Sequence, residues 1–180
     1  MGKIVIALFV LLVIAGCYKQ IPKEAVVPVE VKIVGIDAAT PSHDEADIMI
    51  TTHIKKASYY FSPRTADMPY AFTLSIDGKE LIEKLKGVEE VESNVVEERG
   101  KGIHYALKKR LRLKPGRYEI TLKTEDGRFA KIRVELKGGR LYILRFEPVY
   151  GPSKYLRPKH FREGVIDYRV YFEEGKILRE

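Results

Sequence analysis

The chain has 180 residues, of which 32% are charged, and 32 Lys and Arg against 25 Asp and Glu give a formal net charge of +7. This length suits one domain with a sizeable core, and a single cysteine excludes a disulfide framework. The basic balance permits anionic partners, and the presence of only one Asn and one Gln is typical of heat-adapted proteins.

The first predicted element is an export signal at the N-terminus. Lys3 precedes an unbroken apolar run over residues 4–14, and small residues then lead to Cys17. From Ile4 to Gly16 a helix would span roughly 20 Å, short of the ~30 Å hydrocarbon core that a transmembrane anchor must cross. This layout predicts a secretory signal rather than a membrane-spanning helix.

The residues Ile14-Ala15-Gly16-Cys17 resemble the lipobox of bacterial lipoproteins, although Ile14 stands where that family usually has Leu. The resemblance implies cleavage before Cys17, a diacylglyceryl group on its thiol and a further acyl chain on the freed amine. Two or more such chains hold a protein stably on a membrane. Tyr18 in place of Asp implies, by the same analogy, an outer-membrane anchor on the periplasmic face.

The signal peptide is therefore expected at residues 1–16, a Pro-containing tether at 17–28 and a single domain at 29–180. Alternating apolar positions around residues 27–33 predict a strand, and the apolar, β-branched run at 47–54 predicts a second. A third strand over 70–76 ends in the turn pair Asp77-Gly78.

Residues 79–87 are predicted to form the one short helix of the domain. Leu81, Ile82 and Leu85 would share a face, Glu80 would pair with Lys84, and Gly87 would end the helix. The acidic run from Glu89 to Glu98 and the basic stretch from 108 to 114 then predict a charge-matched hairpin over 88–113. Alternatively, residues 88–98 prolong the helix.

The last third of the chain predicts four strands joined by Pro115-Gly116, Asp126-Gly127 and Gly138-Gly139, because each run alternates between an apolar and a charged face. A final strand carries Ile166, Tyr168, Val170 and Phe172 on one face. The sequence thus predicts a mostly β fold, an antiparallel Ig-like or transthyretin-like β-sandwich.

The turn motifs Asp77-Gly78-Lys79, Pro115-Gly116-Arg117-Tyr118 and Gly138-Gly139 before Leu141-Tyr142 are similar to those of PEGA-type Ig-like modules in bacterial surface lipoproteins. The resemblance covers about residues 70–150 and implies the sandwich fold. The spacer from Gly78 to Pro115 is longer than such modules usually have.

Several residue groups are candidates for chemistry. His43, Asp44, Asp47 and His53 offer nitrogen and oxygen ligands, so a metal-dependent envelope enzyme built on the region of His43, Asp47 and His53 is the alternative function. A polar loop followed by a strand explains the same residues. The chain has no Gly-x-Ser-x-Gly elbow and no Gly-rich phosphate loop, so we expect neither an enzyme nor a cofactor.

A basic stripe is predicted on the strand that precedes Pro115, where alternate residues share one face. Such a stripe would bind an anionic partner or, as the favoured interpretation, be a solvent face paired with the acidic run. Its members on that strand are Lys108, Arg110, Arg112 and Lys114, and Arg117, just after the Pro115-Gly116 turn, is a further candidate.

Aromatic residues in two Pro-containing loops would either anchor a partner or plug the ends of the sandwich. These residues are Tyr59, Tyr60, Phe61 and Tyr70 in one loop, and Tyr150, Tyr155 and Phe161 in the other.

Together these features predict a lipid-anchored cell-envelope lipoprotein with a non-catalytic β-sandwich that binds or braces other components. The expected partners are the membrane, through the anchor, and other envelope proteins or anionic glycans and lipids. Export argues against a nucleic-acid partner.

Overall fold

The computed structural model describes residues 29–59, 63–152 and 159–175. Ten strands make up most of this part of the chain, together with two short 3-10 helices at Val96–Glu98 and Phe161–Glu163. The strands are β1 (Lys32–Val34), β2 (Ala46–Lys56), β3 (Tyr70–Ile76), β4 (Lys79–Leu85), β5 (Val88–Glu90), β6 (Gly102–Leu113), β7 (Gly116–Thr124), β8 (Phe129–Leu136), β9 (Arg140–Tyr150) and β10 (Val165–Glu174).

The strands form two sheets. The larger has the order β1-β6-β2-β9-β10, with β5 also paired to β6, and the smaller has the order β4-β3-β7-β8. Neighbouring strands are antiparallel except β2 and β9, which are parallel. The predicted β-sandwich is confirmed.

The core lies between the inner faces of the two sheets, because alternate side chains of each strand point inward. Ile48, Ile50 and Ile54 of β2 pack there against inward-facing residues of the smaller sheet, such as Phe72 and Leu122. The opposite side chains of β2, including Asp47, His53 and Lys55, therefore lie on the outer face of the larger sheet.

The turn pairs predicted from the sequence lie between strands, but they differ in what they connect. Asp126-Gly127 closes a hairpin between β7 and β8 within the smaller sheet. The links through Pro115 and through Gly138-Gly139 instead carry the chain from one sheet to the other. The four strands predicted for the last third of the chain are confirmed, and they contribute to both layers.

The predicted helix over 79–87 is wrong: residues Lys79–Leu85 form β4, paired antiparallel with β3. Asp77 and Gly78 both have positive φ, 46° and 86°, as a two-residue hairpin turn of type I′ requires. The turn places β4 beside β3, where Leu81 and Leu85 pack on the core and Ile82 is 61% exposed. The spacing of Leu81 and Leu85 fits a helix and a strand equally, and the hairpin decides between them.

The hairpin predicted over 88–113 is confirmed only at its start, and its charge matching is wrong. Within residues 88–98 only Val88–Glu90 pairs antiparallel with β6, opposite Gly102–His104, so the acidic run does not face residues 108–114. Those residues lie beside β2 over most of their length. The alternative, a helix prolonged over 88–98, is wrong as well, since the chain forms a short strand and a single 3-10 turn there.

Two strands end or shift where simple alternation predicts otherwise. β1 covers only Lys32–Val34, and Ile33 is exposed on it. In β10 a bulge between Val165 and Asp167 changes the register, so Val165 is buried and Ile166 is exposed. Tyr168, Val170 and Phe172 keep the predicted inner face.

The predicted signal peptide at 1–16, the lipidation site at Cys17 and the tether at 17–28 lie outside the described residues, as do Tyr60, Phe61 and Tyr155. Within the described part, no helix is long and apolar enough to cross a membrane.

Candidate functional site

The candidate site lies where the segment between β5 and β6 covers one end of the larger sheet. We call this segment, residues 91–101, the strap. Its 3-10 helix carries Glu98, whose side chain is only 2% exposed. A carboxylate at such depth requires partners, because burying an unpaired charge is costly.

Two donors on neighbouring strands meet one oxygen of the Glu98 carboxylate. The Tyr150 hydroxyl donates to Oε1 at 2.6 Å, and His53 Nε2 lies 3.2 Å from the same atom. Burial acts to raise the pKa of Glu98, but the hydrogen bonds from His53 and Tyr150 outweigh it and hold the pKa below its usual value. Glu98 is therefore ionised at neutral pH.

Tyr150 occupies a position that strand pairing leaves open. The ladder between β2 and β9 ends at Thr52 and Phe146, and the Tyr150 hydroxyl accepts a hydrogen bond from the Lys55 backbone N–H at 3.0 Å. Burial, followed by the charge of Glu98, raises the pKa of Tyr150. The phenol thus stays protonated and links the backbone of β2 to the strap.

Lys55 is fully buried beneath the strap. Its Nζ donates to the Glu98 carbonyl oxygen at 2.7 Å and lies 2.8 Å from Glu90 Oε2. The ammonium also lies 5.2 Å from the centre of the Phe161 ring. These contacts compensate its charge and hold β5 and the strap against β2.

A cavity of about 150 Å³ opens beside Glu98. Six charged or titratable side chains line this cavity. They are His53 on β2, Glu97 and Glu98 on the strap, Glu147 on β9, Lys159 before the second 3-10 helix, and Arg169 on β10. The imidazoles of His53 and His104 lie edge to face with their centres 5.5 Å apart. The arrangement offers acceptors and donors at close range in a small, partly enclosed space.

The residues of the alternative, a metal site at His43, Asp47 and His53, are not brought together. His43 pairs with Asp44 at 3.0 Å on an exposed loop, and Asp47 and His53 lie six positions apart on β2, roughly 20 Å. No group of three or more His, Cys, Asp or Glu side chains in the described part of the chain is placed to hold a metal ion.

Asp47 instead binds two arginines of the predicted basic stripe. Arg110 is 6% exposed, and its Nε and Nη2 donate to Asp47 Oδ2 at 2.9 and 2.6 Å. Arg112 Nε donates to Asp47 Oδ1 at 2.8 Å. Lys108, Lys114 and Arg117 are exposed, so the five residues do not share one surface. The partner of the two arginines is Asp47 and not the acidic run.

The two arginines also hold a loop. Arg110 Nη1 donates to the carbonyl oxygens of Ile36 and Ala38 at 2.9 and 2.7 Å, and Arg112 Nη2 donates to that of Ala39 at 2.7 Å. The guanidinium N–H groups of Arg110 and Arg112 are thereby used in contacts within the domain.

The described aromatic residues of the two loops divide into buried and exposed ones. Tyr70, Tyr150 and Phe161 are buried in the core, as plugs of the sandwich would be. Tyr59 is exposed, and its hydroxyl donates to the Arg162 carbonyl oxygen at 2.5 Å.

Sequence reasoning missed Glu98, Tyr150 and Lys55 as members of one site. Glu98 stands in a run of glutamates that resembles a solvated face, and nothing in the sequence marks it as the buried one. Only the alternation of β2, which places His53 and Lys55 on one face, signalled part of the arrangement.

Comparison with known proteins found no matching family model, no matching curated protein and no matching solved structure.

Proposed function

We propose that the chain is a lipid-anchored cell-envelope lipoprotein whose β-sandwich is a non-catalytic binding module. The observation that carries the proposal is the position of the only cysteine, Cys17, directly after an apolar run and two small residues. A thiol is the nucleophile that takes the diacylglyceryl group, and small neighbours admit the processing enzymes. The similarity of the turn motifs to PEGA-type modules of surface lipoproteins supports the same assignment.

The position of β1, the first strand of the domain, indicates which end of the sandwich would face the membrane. β1 pairs Lys32 with Arg112, near one end of β6, whereas the Glu98 site lies beside Gly102–His104 at the other end. The two ends are roughly 30 Å apart along β6. Under the proposal, residues 17–28 tether the first end to the bilayer, and the Glu98 site is the end available to envelope partners.

Binding is proposed rather than catalysis because the reactive groups of the site are engaged with one another. Tyr150 and His53 both point at Glu98, and Lys55 is held by Glu90 and the strap backbone. We propose the outer membrane, on its periplasmic face, as the location, with the membrane itself and envelope proteins or anionic glycans and lipids as partners. Export makes nucleic acid an unsuitable partner.

The test is metabolic labelling with palmitate in a bacterial host. The wild-type chain should take up label and run as a processed form, and Cys17→Ala should remain an unlabelled precursor, because no other thiol exists in the chain. Gly16→Ala is the matched control: it keeps a small residue before the cysteine and should still be labelled. Label in the Cys17→Ala variant, or none in the wild type, would show that the proposal is wrong.

A further inference from the structure

We propose that the cavity beside Glu98 binds a small zwitterion, an α-amino acid of the size of glycine or alanine. This inference rests on the proposed binding function and names its ligand class. It is carried by the charges that line the cavity, by the absence of ion pairs between Glu97, Lys159 or Arg169 and any described residue, and by the size of the space.

The ammonium end of the ligand would meet Glu98 and Glu97. Glu98 Oε1 already accepts from Tyr150 and His53, but Oε2 has only the Ser93 hydroxyl, at the long distance of 3.5 Å. A buried carboxylate oxygen has room for more than one strong donor. Glu97 makes no ion pair with any described residue. An ammonium group supplies three donors and the opposite charge.

The carboxylate end would meet Lys159 and Arg169, which also line the cavity. Neither makes an ion pair within residues 29–59, 63–152 and 159–175. Arg169 lies opposite Glu147 across the β9–β10 ladder, while Glu147 is 3.6 Å from Arg145 instead. A guanidinium binds a carboxylate with two parallel hydrogen bonds, and an ammonium adds a third contact.

The balance of charge favours a zwitterion over a simple ion. Three carboxylates, Glu97, Glu98 and Glu147, stand against two cations and the imidazole of His53. The three carboxylates would repel a purely anionic ligand, and Lys159 and Arg169 would repel a purely cationic ligand. Only a ligand with both charges satisfies both sets.

The volume limits the size of the ligand. A cavity of about 150 Å³ holds a molecule of the size of benzene, about six heavy atoms. Alanine has this size. Val95, Pro148 and Val149 add apolar lining that suits one methyl group.

The experiment is titration calorimetry on the full chain purified in detergent, with glycine and alanine as probes and with acetate and methylammonium as half ligands. Alanine should bind saturably, and each half ligand should bind at least about tenfold more weakly. The side-chain resonances of His53 should shift on addition of alanine but not of acetate. Equal binding of alanine and either half ligand, or no saturable binding of the amino acids, would overturn the proposal.

Arg169→Met should weaken alanine binding about tenfold or more, since it removes one carboxylate contact from an exposed strand position. Arg128→Met is the matched control, because Arg128 is exposed on the β7–β8 turn of the other sheet; it should leave binding unchanged. Glu98→Gln should abolish binding if it folds, and the Arg169 variant decides the question if it does not. An equal effect of Arg169→Met and Arg128→Met would contradict the assigned site.

Failure here and failure of the lipoprotein proposal are distinguishable. Palmitate labelling depends on Cys17 alone, whereas alanine binding should persist in the Cys17→Ala chain.

Discussion

At the scale of single residues, two buried carboxylates hold segments against opposite ends of the same strand, β2. Asp47 near its start binds Arg110 and Arg112, which in turn bind backbone carbonyls of the loop at residues 36–39. Glu98 binds His53 and Tyr150 near the other end and holds the strap. The outer face of the larger sheet is thus covered at each end through polar contacts rather than through a third apolar layer.

Asp47→Asn should destabilise the domain strongly. The carboxylate is fully buried and accepts hydrogen bonds from two guanidiniums, so the amide would leave Arg110 without its counter-charge and set N–H groups against N–H groups. Breaking such a buried pair costs about 3–5 kcal/mol, measurable as a lower urea midpoint. Asp44→Asn, at an exposed position, should change the free energy of unfolding by less than about 0.5 kcal/mol. Similar losses in both variants would contradict this role of Asp47.

Glu98→Gln should reduce the loss of stability in acid. Because the folded-state pKa of Glu98 is lowered from the ordinary 4.5, its charge stabilises the fold above that pH, and this contribution is lost as pH falls through the folded-state pKa. The wild type should therefore lose more stability than the variant as pH falls below about 4.5, as followed by urea midpoints at each pH. Glu135→Gln, at an exposed position, is the control and should follow the wild type. Parallel curves for all three chains would contradict the prediction.

At the scale of elements, the sequence predicted those strands whose turns and alternation agree. β3, β7 and β8 each follow or precede a Gly-containing turn and alternate between apolar and polar residues over most of their length, so two independent signals indicate the same structure. β9 follows the Gly138-Gly139 turn, but its second face is mixed. β4 is predicted wrongly as a helix because the spacing of Leu81 and Leu85 fits both helical and strand periodicity. The Asp77-Gly78 turn marks the end of β3, but it also marks the start of the paired strand β4. The predicted pairing of the acidic run with residues 108–114 is wrong because register is set by the hydrophobic pattern and by the turn, and complementary charge alone does not fix it.

The candidate site was harder to predict than the fold, for a physical reason. Its members come from β2, the strap and β9, which are far apart in the chain, and the parallel pairing of β2 with β9 brings His53 and Tyr150 together. No local pattern specifies that pairing. The alternative of a metal site grouped residues that are close in the sequence, but on a strand such residues are spread over many ångströms.

Gly138→Ala should destabilise the crossing from β8 to β9. A Cβ on Gly138 would clash with the carbonyl oxygen of His43, and the next residue, Gly139, donates its N–H to the carbonyl oxygens of Ser42 and Glu45 at 2.9 and 2.8 Å. Because backbone on both sides is held by these bonds, we expect a loss of about 1–3 kcal/mol or more by urea denaturation. Gly35→Ala is the control, since nothing lies within 4 Å of its Cβ position, and it should be neutral or slightly stabilising. An unchanged midpoint for Gly138→Ala would mean that the loop around His43 can move away.

At the scale of the whole molecule, the order of the strands couples the two sheets. The chain passes between layers four times, from β2 to β3, from β4 to β5, from β6 to β7 and from β8 to β9. Within each sheet, strands that are neighbours along the chain are therefore often separated by strands of the other sheet. Neither sheet can bury its inner face alone, because the apolar residues of β2 and β9 pack against those of β3 and β7. This interleaving leads us to expect cooperative folding of both layers together.

The chain from residue 25 to 180 should therefore fold by itself, as one β domain that needs no metal. In the described part of the chain the buried charged side chains, Asp47, Lys55, Glu98 and Arg110, all have protein partners, so we expect the fold to depend on no bound ion. We expect a far-UV circular dichroism spectrum dominated by strand, and thermal transitions by far-UV signal and tyrosine near-UV signal that coincide. Adding chelator should leave the melting temperature unchanged. A chain that begins at Cys17 and so keeps the whole tether is the control, and it should have the same melting temperature. Separate transitions for the two probes would mean that the sheets fold independently, and a melting temperature that falls with chelator would mean that a metal holds the domain together.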